Sequence, residues 1–120
     1  MPNSNIFNGK RILVLEDDYL IVADLVSDLQ EAGAEVVGPF ASIDQALGAI
    51  EKERPLDGAI LDVNVQGAQA FRVADALSER NVAFVFATGF DRSEIPSDYQ
   101  DAKILQKPVH IADIIQALLH

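Results

Sequence analysis

Short apolar runs and segments of helical period take turns along this chain, and that alternation narrows its fold more than anything else in the sequence. Ile12-Leu13-Val14-Leu15, Val36-Val37, Ala59-Ile60-Leu61, Phe84-Val85-Phe86-Ala87 and Ile104-Leu105 are apolar on both faces, as strands buried between helices must be. They place strands at 11–15, 35–38, a third ending at Asp62, 83–88 and 103–106. Between them, Val22, Leu25, Val26 and Leu29 fall at helical spacing before Gly33 stops the helix. Ile43, Ala46, Leu47 and Ile50 follow a capping box of Ser42 and Gln45, and Pro55 closes that segment. Ala70, Val73, Ala74 and Leu77 line a third helix, and Ile111, Ile114, Ile115 and Leu118 a last one. Residues 90–102 mix turn formers with a few apolar residues, which predicts a short or irregular helix. Parallel strands need helical crossovers, so the pattern predicts a three-layer α/β domain with a five-stranded parallel sheet and about five helices.

Four of the five runs end in residues able to handle a phosphoryl group or its metal: Glu16-Asp17-Asp18, Asp62, Thr88, and Lys107-Pro108. The run Val36-Val37 ends in Gly38-Pro39 and carries none. In an open parallel sheet a ligand site forms outside the carboxyl ends of the strands where the strand order reverses, so these four endings can meet in one crevice.

A chain of 120 residues has room for one core and one domain, expected over 11–120 behind a flexible segment at 1–10. Nine basic against nineteen acidic side chains give a net charge of -10, which repels nucleic-acid backbones and anionic lipid and favours a partner with a cationic face. Without cysteine there is no disulfide framework and no thiolate metal site. No apolar run reaches the roughly 18 residues of a membrane span, and the amino-terminal residues lack the apolar stretch of a signal peptide. The expected location is the cytoplasm.

Glu16, Asp17 and Asp62 in one crevice would repel one another unless a divalent cation joined them. Magnesium, or manganese, suits all-oxygen ligands that leave room for phosphate oxygens and water. A carboxylate can attack phosphorus to give an aspartyl phosphate, with a lysine ammonium and a hydroxyl offsetting charge on the transferring oxygens. Asp62, Lys107 and Thr88 fit those roles. Asp18 reads as a helix N-cap, Phe71 and Phe86 as core, His110 as a helix-start residue and His120 as a terminal one.

These residues resemble the receiver domains of two-component response regulators, over about Arg11 to Leu119. The resemblance implies a flavodoxin-like (βα)5 fold with strand order 2-1-3-4-5, an arrangement whose standard examples include a chemotaxis receiver. It implies Asp62 as phosphoacceptor and metal ligand, Asp17 as the direct metal ligand beside Glu16, and the main-chain carbonyl of Asn64 as a further ligand. Thr88 would hydrogen-bond the phosphoryl group, Lys107 would pair with it, and the Lys107-Pro108 bond would be cis. The implied partners are a histidine kinase or histidine phosphotransfer protein and a separate output protein, reached through a face around residues 88–115. Most receivers carry Tyr or Phe where Ile104 stands, so Ile104 cannot supply their swinging ring. Ala83-Phe84-Val85-Phe86-Ala87-Thr88-Gly89-Phe90 resembles the Pro-Phe-x-Phe-Ala-Thr-Gly-Tyr signature of the FAT GUY receivers, with Ala83 for Pro and Phe90 for Tyr. Asn64 and Phe90, two after the phosphoacceptor and two after the threonine, would flank the water that hydrolyses the phosphoryl bond.

Two other classes remain open on the residues. A haloacid-dehalogenase-like phosphohydrolase also uses a strand-end aspartate, but wants a second Asp where Asn64 stands and its acidic metal pair downstream of the nucleophile. A receiver-like module that binds without phosphorylation would not require the complete acidic pair, Asp62, Thr88 and Lys107.

Overall fold

The structure, a computed structural model, describes residues 6–52, 55–65, 68–89, 103–107 and 109–119. Five parallel strands make one sheet: β1 (Arg11–Leu15), β2 (Glu35–Phe40), β3 (Gly58–Asp62), β6 (Phe84–Thr88) and β7 (Lys103–Gln106). A two-stranded hairpin of β4 (Asn64–Val65) and β5 (Ala68–Gln69) stands apart from it. The sheet order is β2-β1-β3-β6-β7, which is 2-1-3-4-5 when its strands are counted along the chain. The expected topology holds.

The helices are α1 (Tyr19–Glu31), α2 (Ile43–Lys52), α3 (Phe71–Glu79) and α4 (Ile111–Leu119). Successive strand residues point to opposite faces, and the two cores divide accordingly. Leu13, Leu15, Leu61 and Phe86 pack with Ile43, Ala46, Ile50, Val73, Ala74 and Leu77 of α2 and α3. Ile12, Val14, Ile60 and Val85 pack with Val22 and Leu29 of α1 and Ile114 of α4. Every residue of β3 is buried, as the central strand of a three-layer domain must be. The Phe86 ring meets Phe71 and Phe84 edge-to-face, with centroids 5.7 and 5.5 Å away, which confirms Phe71 and Phe86 as core.

Local chemistry fixes the ends of α1. Asp18 accepts hydrogen bonds from the amides of Leu20 and Ile21 (3.0 and 3.3 Å). At the other end Gly33 takes φ +95°, Ala34 N donates to Leu29 O and Gly33 N to Gln30 O, the paired bonds of a Schellman stop. Before α2, Gln45 N donates to Ser42 Oγ (3.2 Å), while the Gln45 side chain accepts from Ala41 N (3.4 Å) rather than from Ser42 N, so the capping box closes one residue early.

Three expectations are revised. The second strand runs through Gly38-Pro39, a cis peptide, to Phe40, because its register against β1 shifts between Leu13 and Leu15 and resumes pairing at Phe40. Residues 6–10 are part of the folded unit and not a flexible lead: Phe7 is fully buried in the α1–α4 core, and its amide donates to Ala32 O (2.8 Å). Between β3 and α3, where the apolar runs predict no strand, the chain forms the β4–β5 hairpin. The helix expected within 90–102 lies outside the described residues.

Candidate functional site

The chain leaves β1 for β2 on one side and β3 on the other, so the switch in strand order falls between the carboxyl ends of β1 and β3. Glu16 follows β1 directly, and its amide is held by Phe40 O of β2 (2.9 Å). Asp62 ends β3, in register with Ala87 of β6, and Val63 N donates to Ala87 O. Glu16 and Asp62 are both buried, 6% and 7% exposed, which is rare for carboxylates without partners.

The partner is Lys107. Its Nζ lies 2.7 Å from Glu16 Oε1 and 3.3 Å from Asp62 Oδ1. Lys107 is carried there by its own amide, which donates to Thr88 O (2.8 Å) and extends the β6–β7 ladder by one bond. Burial desolvates the ammonium and works to lower its pKa, but the hydrogen bond to Glu16 and the charges of Asp62 and Glu16 outweigh that and raise it above the ordinary lysine value. The second Glu16 oxygen, Oε2, accepts from Asp18 N (3.1 Å).

Asp17 is exposed beside them, and one carboxylate oxygen each from Glu16, Asp17 and Asp62 lies within 4.8 Å of the others. An all-oxygen, carboxylate-rich donor set of this kind suits a hard divalent cation. The hairpin bears on a fourth donor. Ala70 N donates to Val63 O (2.9 Å), and antiparallel pairs alternate between bonded and non-bonded positions, which leaves the Asn64 carbonyl outside the β4–β5 ladder. Sequence reasoning missed the hairpin, although Gln66-Gly67 between Val65 and Ala68 is a two-residue, glycine-bearing spacing of the kind that signals one.

Thr88 ends β6 next to Asp62's register partner and is 3% exposed. Ile104 sits on β7 opposite Phe86, partly buried and packed against the α2–α3 core. Phe90 and Pro108, and with Pro108 the expected cis bond, lie outside the described residues. The structure thus gathers Glu16, Asp17, Asp62 and Lys107, with Thr88 on the adjoining strand end. The cleft that holds Glu16, Asp62 and Lys107 also reaches His110, Leu20 and Ile21, none of which the sequence had marked for a site. No helix among the described residues is long and apolar enough to cross a membrane.

Sequence models of known protein families give no match to the chain. Individual proteins do. The transcriptional regulatory protein PdtaR of Mycobacterium tuberculosis is 31% identical over 113 residues, covering 91% of this chain but 55% of its own length, so the chain spans about half of that relative. The response regulator receiver protein CpdR of Brucella abortus is 29% identical over 91% of this chain and 93% of its own. The solution structure of SdrG from Sphingomonas melonis Fr1 superposes with a TM-score of 0.80 at 36% identity, over 92% of this chain and 93% of SdrG. SdrG has also been solved in a BeF3-activated conformation, with a TM-score of 0.75. Near full-length likeness to receiver proteins joins a 2-1-3-4-5 sheet and an acidic crevice at its switch point, and on these grounds the chain belongs to the receiver domains of two-component response regulators.

Proposed function

We propose that this receiver takes a phosphoryl group onto Asp62 from the phosphohistidine of a histidine kinase or phosphotransfer protein, and that the change alters its affinity for a separate output protein. The observation that carries the reading is the Lys107 ammonium shared by Glu16 and Asp62 at the switch point, 2.7 and 3.3 Å away. In the transfer an Asp62 carboxylate oxygen bonds phosphorus as the phosphorus–nitrogen bond breaks, and the electron pair leaves with the imidazole. Lys107, a full positive charge already beside Asp62, offsets the negative charge on the transferring oxygens. Thr88 would donate its hydroxyl to one of them. Glu16, Asp17, Asp62 and the Asn64 carbonyl would hold Mg2+ or Mn2+, which supplies further charge neutralisation when bound. Phe90 and Asn64 would set how readily water reaches the phosphorus and so how fast the chain removes its own phosphoryl group. The BeF3-activated conformation of SdrG, at 36% identity, supports an acceptor role for the same site. The proposed setting is the cytoplasm, without direct contact to nucleic acid or membrane, in keeping with the charge of -10.

Acetyl phosphate with Mg2+, followed by intact mass, tests this. One phosphoryl adduct per chain, absent without divalent metal and absent in Asp62→Asn, is the expected result. Undiminished labelling of Asp62→Asn removes Asp62 from the role, and continuous turnover without an adduct favours a phosphohydrolase instead.

A further inference from the structure

The chain leaves the main sheet just after Asp62. Val63 N still donates to Ala87 O (3.2 Å), but β4 and β5 then pair only with each other, as a separate two-stranded sheet. A two-stranded hairpin is marginally stable at best in water, so this one needs anchors in the domain.

The anchors are apolar. Val63 and Val65 are 2% and 1% exposed and belong to the α2–α3 core, on either side of Asn64 in the chain. Ala70, fully buried in the same core, donates its amide to Val63 O (2.9 Å) and accepts from Ala74 N of α3 (3.1 Å), so the hairpin runs straight into that helix. Because Val63 and Ala70 form a bonded pair, Asn64 and Gln69 form the non-bonded pair next to it, and Asn64 O takes no part in the ladder. That oxygen is left over from the hairpin, yet the main chain bearing it is held on both sides. Held this way, it is preorganised for a ligand.

We propose that Val65 is the positioning residue for the Asn64 carbonyl, and that its anchorage in the core sets a preference of the site for Mg2+ over Ca2+. The inference rests on the reading of the crevice as a divalent-metal site with Asn64 O among its ligands. Mg2+ demands a near-ideal octahedron at about 2.0–2.1 Å, whereas Ca2+ accepts more oxygens, at about 2.3–2.6 Å, in flexible arrangements. An oxygen fixed by the core therefore favours the smaller ion, and a loosened one gives way to the larger. Val63 adjoins Asp62 and is tied to β6 in any case, so the hold on the far side of Asn64 falls to Val65.

Val65→Ala and Val85→Ala in the full chain form the test. Each deletes two methyl groups from a buried valine, but Val85 lies on β6 in the core on the other face of the sheet. Calorimetric titrations with Mg2+ and with Ca2+ are compared, alongside urea unfolding in metal-free buffer. Val65→Ala should weaken Mg2+ about tenfold and Ca2+ less than about threefold. Val85→Ala should lose comparable stability and keep both affinities. Val65→Thr, close to valine in shape, should keep the wild-type ratio of the two affinities although its buried hydroxyl lowers stability. An unchanged ratio in Val65→Ala, or an equal change in Val85→Ala or Val65→Thr, overturns the proposal and leaves the metal reading standing. A wild-type chain that binds neither ion overturns both.

Discussion

Lys107 Nζ sits closer to Glu16 Oε1, at 2.7 Å, than to Asp62 Oδ1, at 3.3 Å, so in the resting chain the lysine is held chiefly by the glutamate. Glu16 is committed on both oxygens, because Oε2 accepts from Asp18 N beside the start of α1. Lys107 and a divalent metal held by the cluster would therefore draw on one pool of negative charge. Glu16 thus ties Lys107 to the amino end of α1.

Lys107→Met should tighten Mg2+ binding while abolishing most phosphoryl uptake. The ammonium stands beside two of the three clustered carboxylates, and at an effective dielectric of 20 a like charge about 4 Å away costs a cation about 4 kcal/mol, an upper bound that water reduces. Calorimetric titration of the variant checks it. Weaker or unchanged Mg2+ affinity would show that the lysine and the metal do not compete.

The raised pKa of Lys107 links the pair to stability. A group whose folded pKa lies above its unfolded value contributes stability that is complete below the unfolded pKa of 10.5 and is lost as pH rises through the higher folded pKa. In metal-free buffer, urea unfolding from about pH 9 upward should therefore show a steeper alkaline decline in the wild type than in Lys107→Met. Parallel slopes in the two proteins would contradict the shift.

Asp17 and Asp18 are adjacent and both exposed, yet the geometry gives them different tasks. Asp18 accepts from two amides of the first turn of α1, whereas Asp17 belongs to the carboxylate cluster. Asp18→Ala should cost about 1 kcal/mol of stability and leave Mg2+ affinity near wild type. Asp17→Ala should weaken Mg2+ by at least about tenfold and change stability little. Equal losses of metal affinity in the two variants would place the register of this turn one residue away.

Much of this architecture was legible because period and punctuation agreed. The strands 11–15 and 103–106 and the helix faces of Val22, Leu29 and Ile114 follow from apolar spacing alone, since burial on both faces of a parallel sheet leaves few other patterns. The gathering of these strand ends was legible because three charged endings and the Thr88 hydroxyl have no reason to stand in four such places by packing. Phe7 was not legible: a lone aromatic in a polar amino-terminal segment carries no period, and only the gap it fills beside Ala32 and Leu29 explains it. The extension of the second strand was hidden by Gly38-Pro39, residues that ordinarily end a strand and here form its bulge. The pairing of Lys107 with Glu16 rather than with Asp62 first depends on distances of a fraction of an ångström, which spacing along a chain does not encode.

Gly38 offers a test of how the second strand supports the site. It takes φ +107°, and a Cβ there would lie 2.8 Å from Phe40 N and 3.0 Å from Val14 O, backbone atoms that cannot turn aside. Phe40 in turn holds the amide of Glu16 through its carbonyl. Gly38→Ala should thus cost about 1–3 kcal/mol through backbone strain and also weaken Mg2+ binding, because Glu16 shifts with Phe40. Gly48 is the matched control: it lies within α2 with open space where its Cβ would be, so Gly48→Ala should stabilise by about 0.5–1 kcal/mol and leave metal binding as it was. Urea unfolding and Mg2+ titration of both variants decide the matter. If Gly38→Ala loses stability while binding Mg2+ as the wild type does, the bulge serves the fold alone and the hydrogen bond from Glu16 to Phe40 does not position the acidic cluster.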